Sequence, residues 1–103
     1  MAVFQKTIRL KTKGHTDVID ITASVADLRR ALELIAPANE DYAHNARWGD
    51  RNGYAHLRSA LMGTAKSFPV SKGEVHLGTW QQIVLCDFDD RPREREITVT
   101  VVG

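Results

Sequence analysis

Apolar and polar residues alternate from residue 2 to residue 12. Val3, Gln5, Thr7 and Arg9 fall on one side, and Phe4, Lys6, Ile8 and Leu10 on the other. That period of two predicts a strand with one apolar face. Lys11-Thr12-Lys13-Gly14 reads as a turn with His15 at its edge. A second strand to Thr22 follows, with Val18, Ile19 and Ile21 as its apolar content. The two strands are expected to form an antiparallel hairpin.

The period then changes. Ser24 and Asp27 have capping-box spacing. Val25, Leu28, Leu32 and Ile35 recur at helical intervals, which gives one apolar stripe with Arg29, Arg30 and Glu33 off it. Pro37 ends this helix. Residues 37–51 form a polar loop carrying Tyr42, His44 and Trp48. Such a loop either carries function on a rigid scaffold or is clamped to the core by its two aromatics. Asp50 or Asn52 caps a second helix that Gly63 closes. On a helical wheel Tyr54, Leu57 and Leu61 share the expected core face, while His56 points away with Asn52, Ser59 and Ala60.

The rest reads as strands. Lys66–Ser71 contains Pro69 and belongs at a sheet edge or a bulge. Ser71-Lys72-Gly73-Glu74 is a hairpin turn, and Val75–Leu77 begins the return strand, with His76 on the surface. Gln81–Phe88 is a mostly apolar strand. Asp89–Arg93 is a charged turn, and Glu96–Val102 alternates again to close the sheet. No internal repeat interrupts this order. The pattern thus predicts two short helices among strands joined by turns.

A chain of 103 residues suits one domain, and 43% apolar content is enough to build a core. Lys plus Arg total 14 against 13 acidic residues. That balance argues against a dedicated nucleic-acid binder and removes charge repulsion as a barrier to self-association. Cys86 is the single cysteine, so no internal disulfide forms, and its apolar setting suits an inert thiol. No apolar run reaches membrane-spanning length and the N-terminus alternates, so a cytoplasmic protein is expected.

The sequence holds no Gly-rich phosphate loop, GxSxG, HExxH or paired CxxC. The remaining chemistry-bearing set is His44, Asn52, His56, Thr79, Trp80, Gln81 and Asp87. Two imidazoles and a carboxylate suit either a zinc site with an open position or proton transfer. Arg47, Arg51, Arg58, Arg91 and Arg93 offer forks for phosphate oxygens.

Tyr42-Ala43-His44-Asn45, Asn52-Gly53-Tyr54-Ala55-His56-Leu57, Leu61-Met62-Gly63, Phe68-Pro69-Val70 and Leu77-Gly78-Thr79-Trp80-Gln81 together resemble the YjbQ-like family. The resemblance runs in order from about Leu28 to the C-terminus. It implies an α+β fold with a layered, largely antiparallel β-sheet and two short helices, a homotrimer, and a secondary thiamine-phosphate synthase activity. In that reaction hydroxymethylpyrimidine diphosphate is joined to thiazole phosphate and pyrophosphate leaves. It further implies His44, His56, Asn52 and Asp87 as catalytic positions, His44 and His56 as ligands of a divalent metal (zinc or magnesium), and Thr79, Trp80 and Gln81 as cofactor-binding positions. A small phosphorylated substrate follows, with no nucleic acid and no membrane.

Two departures stand out. Members commonly carry histidine where this chain has Tyr54. They also carry a further helix and a central strand between the first hairpin and the Leu28 helix. Here Ile21-Thr22 runs almost directly into Ser24, so residues 1–103 are expected to be a single domain with an internal deletion near 22–26. Two alternatives accompany the enzyme: an incompetent variant kept as a trimeric binding module, and a small interaction domain whose motif residues only pack.

Overall fold

The structure is a computed structural model and describes residues 3–11, 17–19, 25–79 and 81–103. In chain order its elements are β1 (Val3–Lys11), β2 (Asp17–Ile19), α1 (Val25–Ile35), α2 (Ala43–Trp48), α3 (Gly53–Met62), β3 (Val70–Ser71), β4 (Glu74–Val75), β5 (Leu85–Asp87) and β6 (Glu94–Val102). Ser24, His15 and the Lys11–Gly14 turn beyond Lys11 lie outside the described residues.

Helices and antiparallel strands make this an α+β fold. The pairing differs from the expected hairpin. Among the described residues β1 pairs with β6, from Val3 opposite Val102 to Lys11 opposite Glu94, and β2 pairs with β5. Both long strands alternate over nine residues, so they match each other better than either matches a three-residue strand. Arg9 and Glu96 face each other across this ribbon and form an exposed ion pair at 2.8 Å. The β3–β4 hairpin turns on Lys72 and Gly73, both with positive φ (53° and 77°), as a two-residue type I′ turn requires.

Three further expectations are corrected. The loop at 37–51 contains a helix, α2, so the described helices number three. Ala43, Ala46 and Arg47 favour helix, and Gly49 closes it in the left-handed region at φ 67°, its N–H donating to Asn45 O. The strands expected over Lys66–Ser71 and Gln81–Phe88 shrink to Val70–Ser71 and Leu85–Asp87, each as long as its partner.

The phase of α3 is also rotated. Its buried residues are Gly53, Tyr54, Ala55 and Arg58, whereas Leu57 and Leu61 are 40% and 56% exposed. An arginine takes the core side because its head group donates to the buried Ala36 carbonyl and lies over the Tyr54 ring, 4.9 Å from its centre. His56 is exposed, on the polar side as its spacing predicts.

The core is small. Leu32 of α1, Tyr54 and Ala55 of α3, and Phe88 after β5 form its centre, with Leu28, Ala38, Tyr42, Met62 and Cys86 packed against it. Ile35 continues the α1 stripe yet is 61% exposed, so the stripe outruns its cover. The radius of gyration is 16.0 Å, against about 13 Å for a compact chain of this length. The described chain is elongated, 49 × 27 × 21 Å.

Candidate functional site

The site lies where the start of α3 meets the turn between β5 and β6. Gly53 opens α3 and lets it approach the preceding segment: a Cβ there would lie 2.6 Å from Tyr42 Cβ and 2.7 Å from Asn45 Oδ1. The Gly53 N–H donates to that same Asn45 oxygen at 2.9 Å. The Tyr42 hydroxyl donates to Pro37 O at 2.5 Å. Burial pushes the Tyr42 and Tyr54 phenols up, so both stay neutral donors. These contacts fix α2 beside α3 and set His44 against His56, with ring centres 4.3 Å apart and planes tilted by 41°.

From His44 a polar chain runs across to the β5–β6 turn. His44 Nε2 lies 3.1 Å from Asn52 Oδ1 and 3.2 Å from Asp50 Oδ1. The Asn52 amide nitrogen donates to Asp89 Oδ1 over a long 3.5 Å. Asp89 Oδ2 accepts from Arg93 Nε at 2.7 Å and from Arg95 Nη2 at 3.3 Å. Arg95 also grips Asp87 with both prongs, at 2.9 and 3.0 Å. Asp87 is buried and additionally accepts the Asp89 N–H.

Charge follows from this wiring. Burial alone would raise the Asp89 carboxyl, but the Asp90 N–H, Arg93 and Asn52 outweigh it and bring it down to about 2. The hydrogen bonds that Arg95 donates to Asp87 hold its guanidinium above its ordinary value. Asp50, Asn52, Asp90, Arg91 and Arg93 line an open cleft of about 310 Å³ beside the network.

His44, Asn52, His56 and Asp87 are thus gathered around one network. Thr79 and Gln81 lie in a different, exposed turn, where Gln81 Oε1 accepts the Gly78 N–H at 2.6 Å. Trp80 lies outside the described residues. Asp50, Asp89 and Arg95 were absent from the expected set. The charged turn at 89–93 was visible in the sequence, but no spacing rule links residues 44 and 52 to residues 89 and 95. Of the proposed arginine forks, Arg58 is committed elsewhere and Arg47 lies over Trp48, 5.5 Å from the ring centre. Among the described residues no three His, Cys, Asp or Glu side chains converge as a metal site. His44 Nε2 is turned to Asn52 and Asp50, so the residues as arranged do not fit a divalent-metal ligand set.

The family model for UPF0047 protein YjbQ-like matches residues 24–103. The chain belongs to this family. It is 40% identical to a UPF0047 protein of Methanothermobacter thermautotrophicus over an alignment of 138 residues, which takes in all of this chain and 94% of the relative. Since this YjbQ-like chain has 103 residues, about 35 aligned positions of the relative have no counterpart in it. A UPF0047 protein of Archaeoglobus fulgidus is 37% identical over 73 residues, covering 71% of this chain but 56% of the relative, so the chain spans little more than half that length. The crystal structure of a YbjQ-like protein of unknown function from Sulfolobus solfataricus P2 superimposes with a TM-score of 0.87 at 23% identity, over 99% of this chain and 98% of that one. That likeness establishes the fold. No helix among the described residues is long and apolar enough to cross a membrane.

Proposed function

We propose that this YjbQ-like chain binds a small phosphorylated substrate in the cleft beside α3 and takes the thiamine-phosphate synthase-like role. The observation that carries the reading is the His44–Asn52–Asp89–Arg93 chain bordering a cleft that also holds Arg91. Arginine forks suit phosphate oxygens. Asp50 and Asp90 on the same wall suit the amino group of a pyrimidine, so the mixed lining matches a ligand that is anionic at one end and a donor at the other. In the reaction a C–N bond to the thiazole nitrogen forms as the C–O bond to diphosphate breaks, and the electron pair leaves with pyrophosphate. Arg91 and Arg93 stabilise that developing charge. His44, beside His56, takes a proton from the pyrimidine amino group as the diphosphate leaves and returns it once the C–N bond has formed, so no net proton is consumed. A cytoplasmic location and a homotrimeric state belong to the proposal as well. The exposed Leu57, Leu61 and Ile35 support self-association.

A second reading is favoured by the alignment. The unmatched 35 or so positions, with a family match that begins at residue 24, support an internal deletion near 22–26. A chain lacking that segment would keep the scaffold and bind without turnover. One assay separates the two. Pyrophosphate release from hydroxymethylpyrimidine diphosphate plus thiazole phosphate, abolished by His44→Ala, supports the enzyme. Saturable binding of the diphosphate without release supports the binding module. Neither binding nor release sinks both.

A further inference from the structure

The environment of His44 Nε2 has a consequence for its other nitrogen. Two oxygens face Nε2: Asp50 Oδ1 at 3.2 Å and Asn52 Oδ1 at 3.1 Å. A carboxylate oxygen can only accept. The Asn52 amide could in principle be turned either way, but its nitrogen is aimed at Asp89 Oδ1. Asp89 is itself ionised, held by Arg93 and Arg95, and can only accept. The Asn52 nitrogen therefore belongs to Asp89 and its oxygen to His44. Both groups facing Nε2 are acceptors, so Nε2 must carry the hydrogen.

We infer that Asp50 and Asn52 are positioning residues that lock neutral His44 as the Nε2–H tautomer, leaving Nδ1 as its basic atom. Asp89, fixed by two arginines, sets the orientation of Asn52. The arrangement follows the general logic by which one imidazole nitrogen's partner decides the role of the other. The use of Nδ1 as a base rests on the reading proposed above; the tautomer does not, and the test reads the tautomer alone.

The test is two-bond proton–nitrogen NMR of the whole chain at about pH 9, where imidazoles are neutral. His76 is exposed and serves as an internal reference in the same spectrum. The minor Nδ1–H form of His44 is expected to be about tenfold or more scarcer than that of His76, the effect of a hydrogen bond to a charged group. Asp50→Ala and Asn52→Ala should each shift His44 part of the way to the His76 ratio, and the double variant the whole way, with unchanged circular dichroism. Equal ratios for His44 and His76 in the unaltered chain would overturn the assignment without any variant having to fold. A pyridine-like Nε2 would do the same, as would a folded double variant with an unmoved ratio. Loss of substrate binding with the lock intact would count against the proposed function only.

Discussion

Arg58 donates from Nε and Nη2 to the carbonyl oxygen of Ala36, at 3.0 and 2.7 Å. Ala36 is fully buried and follows the last residue of α1, where helix carbonyls lack intrahelical partners. A cation there both satisfies the carbonyl and complements the helix dipole. Arg58 Nη2 also meets Glu33 Oε2 at 2.7 Å, and its guanidinium lies 4.9 Å from the Tyr54 ring centre. One side chain thus ties α3 to the end of α1. Arg58→Met keeps the stem and removes these donors. It should lower unfolding stability by about 2–3 kcal/mol, because a buried carbonyl is left unsatisfied. Urea denaturation measures this, and a loss under half a kcal/mol would show that the tie is incidental.

The acid limb of stability should carry the signature of Asp89. Its carboxyl is held at about 2, below the ordinary 3.8. A lowered folded value means the stabilisation is complete above the unfolded value and fades as pH falls toward the folded one. Between about pH 4 and pH 2 the chain should lose about 1–2 kcal/mol through this group. Glu33 adds to the same limb: the Ala38 N–H first, then Arg58, lower its carboxyl. In Asp89→Asn the slope of stability against pH should flatten in that window. Parallel slopes for both proteins would dismiss Asp89 as a source of acid sensitivity.

Much of this was legible in the sequence, and the failures have physical causes. The alternation in β1 and β6 and the glycine stop of α3 are local signals, and they gave elements in the right places. The hairpin expected between the first two strands failed because length matching across the sheet overrides proximity in the chain. The phase of α3 failed because a wheel ranks Leu57 above Arg58, whereas the buried Ala36 carbonyl and the Glu33 carboxylate made the arginine the core residue. His44, Asn52 and His56 were legible as chemistry-bearing residues, but spacing alone did not show that they converge. Asp89 and Arg95 were not, because only the fold brings a turn near the C-terminal strand against the start of α3.

Gly53 is the position where that approach is tightest. Its ideal Cβ would overlap both the Tyr42 Cβ and the Asn45 side-chain oxygen. Neither is the free end of a flexible chain, since Asn45 is bonded to the Gly53 N–H itself. Gly53→Ala should therefore push α3 away from Tyr42 and cost about 1–3 kcal/mol, despite the better helix propensity of alanine. The His44–His56 contact should loosen with it. Thermal unfolding reads the first effect, and proton NMR of the two imidazoles reads the second. A stabilised Gly53→Ala protein would mean the helix start yields without cost.

The last prediction concerns assembly. Leu57 and Leu61 are one helical turn apart on α3, and both are exposed while Arg58 beside them is buried. Side chains of this kind side by side on a helix are neighbours and present a continuous apolar strip. The elongated protomer and the uncovered Ile35 add to the apolar surface that a lone copy leaves in water. Leu57→Lys with Leu61→Lys removes the strip without touching the core or the Arg58 tie. The unaltered chain should sediment at about three times its 11.5 kDa mass, and the double variant at about one. Circular dichroism should be the same for both at high concentration. A monomeric unaltered chain would remove the trimer from the proposal. A variant that stays trimeric would move the contact to another face of the molecule, away from α3.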